Sequence, residues 1–226
     1  GTLTSGSGSA SVTFNAAGMH SVTARYTGGS ATDSAPVDID VHVATTTALS
    51  FPSPATAGQI VTLAATVAGA VTPTAGNVEF YDAGGSIGTG SVVSGVATLD
   101  LSFTTGSHPI TAIYQGAGSF DASPVAPSKT LTVNPANSTT ALTVPATITK
   151  GTDFTVTVTV SPSAATGTVS ILNSGAVIKT GLVSGGTTTI TLNLTPGTYS
   201  LTARYEGDTI YGTSTSAPAV SRTVAP

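Results

Sequence analysis

With 226 residues, six Lys plus Arg against ten Asp plus Glu, a formal net charge of −4 and only 7% charged residues, the chain carries no basic stripe to neutralise phosphates, which argues against nucleic acid as a partner. It has no cysteine, so no disulfide reports on its redox compartment, and no 18-residue apolar stretch of the kind that crosses a membrane as a helix. Its surface must be built largely from Thr, Ser, Gly and Ala, a composition associated with secreted bacterial surface proteins, and its start at Gly1, without Met or a signal peptide, is expected of a processed or excerpted chain.

Hydropathy alternates with period two almost everywhere and no long window shows a helical stripe, so the predicted elements are strands. In chain order, residues 1–43 predict strands from Val12 to Phe14, Val22 to Tyr26 and Ile39 to Val43, with Gly1 to Thr4 matching a Gly-rich return strand. An opening strand follows from Thr46 to Ser50, then Val61 to Val67 with Val61, Leu63, Ala65 and Val67 on one face and Thr or Ala opposite. Gly76 to Phe80, a return through Ile87, Ala97 to Phe103, Gly106 to Tyr114 and Lys129 to Val133 complete that set. The same order then recurs: Thr139 to Thr143, Phe154 to Val160 with Phe154, Val156, Val158 and Val160 inward, Gly167 to Ile171, a return through Ile178, Thr189 to Leu194, Gly197 to Tyr205 and Val220 to Val224.

Three segments are near copies: Gly18-Met-His-Ser-Val-Thr-Ala-Arg-Tyr26, Gly106-Ser-His-Pro-Ile-Thr-Ala-Ile-Tyr114 and Gly197-Thr-Tyr-Ser-Leu-Thr-Ala-Arg-Tyr205. Their spacing sets a structural unit of roughly ninety residues. The expected domains are an incomplete C-terminal half of a repeat at 1–43 and complete repeats at 44–135 and 136–226. Six or seven short strands per repeat, with turn residues between them, predict an all-β fold of tandem immunoglobulin-like antiparallel β-sandwiches. The inward residues of the copied strand are Val22, Ala24 and Tyr26, then Ile110, Ala112 and Tyr114, then Leu201, Ala203 and Tyr205. The small Ala lets the facing sheet approach and the Tyr closes the end with its hydroxyl near the rim.

Thr-Thr-Ala-Leu at 46–49 and 139–142, Gly-x-Val-x-Phe/Ile at 76–80 and 167–171, and Thr-Ala-x-Tyr followed closely by Gly resemble the bacterial immunoglobulin-like repeats of the group 3 type. The resemblance covers nearly the whole chain and implies immunoglobulin-like sandwiches with an extracellular stalk, adhesin or module role. These are packing motifs and fix no ligand. Two departures stand out: the Gly-Asp step that often follows the Tyr is present only as Gly207-Asp208, and Arg222 stands where Leu131 does in the final strand. The antibody-type disulfide and core Trp are both absent.

No residue set suggests catalysis, a metal or a cofactor, so none of the chain's residues is assigned to such a site. The imidazoles are His20, His42 and His108, spread over different units and read as surface histidines. Asp33, Asp38 and Asp40, and Glu206 with Asp208, read as solvated carboxylates; an Asp/Glu cluster near a junction could ligate calcium through oxygen. Gly84-Gly85 and Gly185-Gly186 are turns, since no helix or Lys-Ser/Thr follows them. Asn137 and Asn193 begin glycosylation-like triplets that Thr-rich chains produce by chance, and an isopeptide bond through Lys150 or Lys179 has no partner placed beside it.

The expected function is therefore that of a non-enzymatic structural spacer in a bacterial extracellular or cell-surface repeat protein, adhesin-like, whose partners are neighbouring Ig-like repeats or identical subunits. One alternative is a filament subunit whose half repeat is completed by strands of a neighbouring chain. Another is an accessory module that binds a surface glycan or a protein, weakened by the lack of Trp and the inward assignment of the tyrosines. The half repeat has no opposing sheet in residues 1–43, so its inward face is expected to be covered by other strands.

Overall fold

The computed structural model describes residues 3–226, and all of their regular structure is strand. In the middle repeat one sheet has the order Val96–Ser102, Ile60–Gly69, Thr45–Ser50, and the other the order Ala55–Thr56, Lys129–Asn134, Gly106–Tyr114, Asn77–Asp82, Gly85–Ser91. The last repeat repeats this plan. Thr139–Thr143, Phe154–Ser161 and Thr187–Leu192 form one sheet; in the other, Ala176–Val183, Gly167–Asn173 and Gly197–Tyr205 are neighbours, and both Ser214–Thr215 and Val220–Val224 pair with Gly197–Tyr205. The fold is thus all-β, a tandem of immunoglobulin-like sandwiches.

Alternation produces the two layers directly. Val61, Leu63, Ala65 and Val67 are buried while Thr62 and Thr66 are exposed, and Val156, Val158 and Val160 are buried on the equivalent strand. In the last repeat those valines pack in one core with Val169, Ile171, Leu201, Ala203 and Tyr205. Burying each large aliphatic side chain contributes roughly 1.5–3 kcal/mol, which is how a fold with no disulfide holds its sheets together. The two sequence motifs are halves of one strand pair: Ala112 lies opposite Phe80 and Tyr114 opposite Val78, as Ala203 lies opposite Ile171 and Tyr205 opposite Val169. A small residue faces a large one at the same level in both repeats, the pairing that lets cross-strand neighbours fill the layer without overpacking.

Four details differ from the sequence reading. Ala55–Thr56 is a short strand parallel to Lys129–Asn134, with Val133 opposite Ala55, and two residues are too few for any periodicity to show. Ser214–Thr215 is a second such strand, with Ser214 opposite Tyr205. Arg222 does not break the final strand's inward set: Val224 is buried, and the guanidinium reaches across to donate to the carbonyls of Pro145 at 2.7 Å and Val144 at 3.1 Å. The fourth is the segment from Val12 to Phe14, which is not a strand. The strands that align with it in the two repeats, Val96–Ser102 and Thr187–Leu192, are held by Ile60–Gly69 and Phe154–Ser161, whereas Val12 to Phe14 has no such strand among the described residues to bond to.

Ahead of the middle repeat, Gly18–Val22 pairs with Val37–Val41, and Arg25–Tyr26 pairs with Thr32–Asp33. The Gly-rich return expected from Gly1 to Thr4 lies half outside the described residues. The chain divides into two compact units, the first holding residues up to Pro52 with Thr62–Leu101 and His108–Thr130, the second Ser53–Val61, Ser102–Ser107 and Leu131–Pro226. The segment around Val43 lies inside the first unit and that around Ala136 inside the second.

Candidate interaction surface

In the middle repeat the Tyr114 hydroxyl donates to the Ala75 carbonyl at 2.9 Å, tying the end of the copied strand to the turn before Asn77–Asp82. Gly76 makes room for this: its φ is +91°, and a Cβ there would stand 2.7 Å from a Tyr114 ring carbon. Burial alone raises the Tyr114 pKa. Tyr205, its counterpart, is fully buried but its hydroxyl makes no hydrogen bond among the described residues. Burial first, and the nearby Asp208 charge second, push its pKa up to about 12, although the geometry between hydroxyl and carboxylate is not that of a hydrogen bond.

In the last repeat Asp208 makes the clasp instead. Its carboxylate accepts from the Thr166 amide at 3.0 Å and hydroxyl at 3.1 Å with one oxygen, and from the Ile210 and Tyr211 amides at 2.8 and 2.7 Å with the other. Partial burial opposes its ionisation, but the amides of Tyr211, Thr166 and Ile210 outweigh that and lower its pKa to about 2. The single Gly-Asp step of the sequence thus fastens the turn before Gly167–Asn173, as Tyr114 fastens the equivalent turn before Asn77–Asp82 in the middle repeat.

Hydroxyl pairs join each opening strand to the segment after the Tyr loop. Thr47 and Ser123 are 2.7 Å apart and both buried, and Thr140 and Ser214 are 2.6 Å apart; Thr45 donates to the Asp121 carbonyl at 2.8 Å as Ser138 donates to that of Gly212 at 2.7 Å. The linkers are held in the same way. Val43 donates to Ser119 at 2.8 Å and accepts from Asp121 at 3.0 Å, while Ala136 donates to Ile210 at 2.8 Å and accepts from Gly212 at 2.8 Å. At the second junction the Thr105 amide also donates to the Thr209 carbonyl at 2.8 Å.

The histidines are scattered, and two of them lie within hydrogen-bond distance of carboxylates. His42 sits at the first junction with Asp40 2.9 Å from Nε2 and Asp121 2.9 Å from Nδ1, so both nitrogens donate only in the imidazolium form. The hydrogen bond to Asp40, then that to Asp121, raises its pKa. His108 is not a surface residue: it is half-buried, with Nδ1 2.7 Å from Asp82. His20 places Nε2 2.8 Å from the Ala16 carbonyl and its ring 4.6 Å from that of Phe14. Asp33 makes an exposed ion pair with Arg25 at 3.6 Å, Asp38 is exposed, and Glu206 accepts from Arg204 and from Ser170 at 2.8 Å. Asn193 donates to Asp153 at 2.7 Å, Asn137 is exposed, and so are Lys150 and Lys179. Among the described residues no three His, Cys, Asp or Glu side chains converge as a metal site would require, and no helix is long and apolar enough to cross a membrane.

What remains is a surface without covering. Tyr114 and Tyr205 are fully buried, whereas Tyr26, the same residue of the same motif, is 52% exposed. Ala24 is exposed where Ala112 and Ala203 are buried, and on the same side of the strand pair Val37, opposite Val22, and Ile39, opposite His20, add further exposed apolar area. An open groove of about 590 Å³ lies at the end of this strand pair, lined by Leu3, Ala24, Tyr26 and the Arg25–Asp33 pair.

Sheet order, paired motifs and clasped loops define a tandem immunoglobulin-like repeat protein. Residues 47–134 and 139–225 match the family described as Bacterial Ig-like domain (group 3), and the chain belongs to that family. No curated protein matches the sequence. Among solved structures, the fibronectin(III)-like modules of Clostridium thermocellum CbhA align at 18% identity and a TM-score of 0.37, covering 79% of this chain and 94% of that one. A two-domain fibronectin type III segment of chicken tenascin aligns at 14% identity and 0.39, covering 79% and 97%, and the human OSCAR ligand-binding domain at 15% and 0.31, covering 82% and 100%.

Proposed function

We propose that this chain is a spacer segment of a bacterial extracellular or cell-surface protein, with repeats at 44–135 and 136–226, and that its role is mechanical, adhesin-like, rather than catalytic. The observation that carries the reading is the junction: Val43 and Ala136 are each fastened through both amide and carbonyl to the loop after the Tyr strand of the following repeat. A linker bonded at both groups does not behave as a flexible tether, and a tandem joined in this way transmits direction as well as length. Family membership supports the module role.

The test is Ala136→Pro, which removes the amide that donates to Ile210. Spin labels in the middle and last repeats of the intact chain should give a narrow distance distribution that broadens in the variant. Equally broad distributions in both would contradict a fastened junction.

A further inference from the structure

The half repeat keeps only one side of its copied strand. In the last repeat Gly197–Tyr205 pairs on one side with Val220–Val224 and Ser214–Thr215 and on the other with Gly167–Asn173. Gly18–Val22 and Arg25–Tyr26 reproduce the first side residue for residue: Gly18 is opposite Val41 as Gly197 is opposite Val224, and Tyr26 is opposite Thr32 as Tyr205 is opposite Ser214. The second side has no strand among the described residues.

The direction of the amides shows which groups this edge presents, and no strand pairs with it among the described residues. The Ala24 amide bonds inward to Ser34 at 3.0 Å, as the Ala203 amide bonds to Ser216 at 2.9 Å. Amides alternate sides along a strand, so those of Thr23, Arg25 and Thr27 face the other edge. At the position of Thr27, Gln115 donates to Asn77 and Glu206 to Thr168, both at 2.9 Å.

We infer that the free edge from Thr23 to Thr27 and the open face beside it form an acceptor for the first half of a repeat of this same type, docking as an antiparallel strand of pattern Gly-x-Val-x-Phe/Ile with its Phe or Ile opposite Ala24 and its Val opposite Tyr26. The occupant is fixed by this chain's own two worked examples. The pairs Ala112–Phe80 and Ala203–Ile171 cover the same Thr-Ala-x-Tyr motif in the same register, and a shift of one residue would turn the apolar side chains to solvent. Main-chain bonds supply affinity and the alternating pockets supply selectivity, as in other strand additions. This inference does not depend on the spacer reading.

Hydrogen exchange of the 226-residue chain, resolved by NMR, tests it with a synthetic peptide of residues 76–91, which carries the Asn77–Asp82 and Gly85–Ser91 strands. At saturation the Arg25 and Thr27 amides should exchange about tenfold more slowly, while the Ala24 amide, already bonded, is unchanged. A peptide with Val78→Thr and Phe80→Thr should have no effect. Because a lone hairpin is marginal in water, the same amides are also followed in a fusion that joins residues 45–91 ahead of Gly1. Slowing in neither experiment, or equal slowing by both peptides, overturns the inference. Protection of these amides in a concentrated sample of the chain alone, with dimer formation, would assign the face to a second copy instead.

Discussion

Replacing Tyr114 and Tyr205 in turn by Phe should separate two residues that the sequence makes identical. Phe keeps the ring, so neither change opens a cavity; each removes one hydroxyl. At Tyr114 that hydroxyl donates to the Ala75 carbonyl at 2.9 Å, and its loss should destabilise the middle repeat by about 1 kcal/mol, rising to about 2 if the carbonyl is left dry. At Tyr205 the buried hydroxyl has no partner among the described residues, so its removal relieves a desolvation cost and should leave the last repeat unchanged or up to about 1 kcal/mol more stable. Urea unfolding followed by amide signals assigned to each repeat measures both effects in one sample. Equal destabilisation by the two variants, or a larger loss at Tyr205, would refute the reasoning and give the Tyr205 hydroxyl a hydrogen bond to Asp208. A spectrophotometric titration adds a second reading, since the Tyr205 phenol should ionise near its raised value of about 12 rather than the ordinary 10.0.

Gly76→Ala should destabilise the middle repeat by about 2 to 4 kcal/mol in the same urea experiment, through a strained backbone and a collision with Tyr114. Ala65→Leu, at a fully buried position, should cost that repeat about 1 to 3 kcal/mol by overpacking, with a much smaller change in the last one. Asp208→Asn tests the clasp through acid: the folded-state pKa is depressed from 3.8 to about 2, so the stabilisation is full above the unfolded value and is lost as pH falls through the folded one. The wild type should exceed the variant by at most about 2 kcal/mol above that window, and the two should converge as the pH approaches the folded value. For His42, whose pKa is raised, the ion-paired junction is fully formed below the ordinary value of 6.5 and weakens as pH rises through the folded value; an NMR titration should place its midpoint above 6.5, and Asp121→Asn should lower it.

Much of this architecture is legible in the residues because one physical rule dominates them. Val61 to Val67 and Phe154 to Val160 alternate with period two, and burial follows that alternation except at Phe154, which is only partly buried against the core. The Thr-Ala-x-Tyr and Gly-x-Val-x-Phe/Ile motifs are readable as packing elements, and the structure explains them as opposite members of one strand pair. What the sequence does not display are contacts between residues distant along the chain and chemically ordinary among so many others of their kind. Thr47 with Ser123, Thr140 with Ser214, and the amide cradle around Asp208 are built from hydroxyls and main-chain groups that leave no periodic trace. Val12 to Phe14 fails as a strand for a related reason, since alternation records which face would be buried and not whether a neighbour is there to bond. His42 shows the same limit, because its partner Asp121 is 79 residues away.

The central claim, that two complete immunoglobulin-like repeats carry load as separate sandwiches, is tested most directly by pulling a single molecule from its two ends. Each repeat of roughly ninety residues should give its own rupture and release about 300 Å of contour, so the account predicts two sawtooth peaks of nearly equal spacing. One rupture releasing the whole length at once, or extension without any peak, would contradict it.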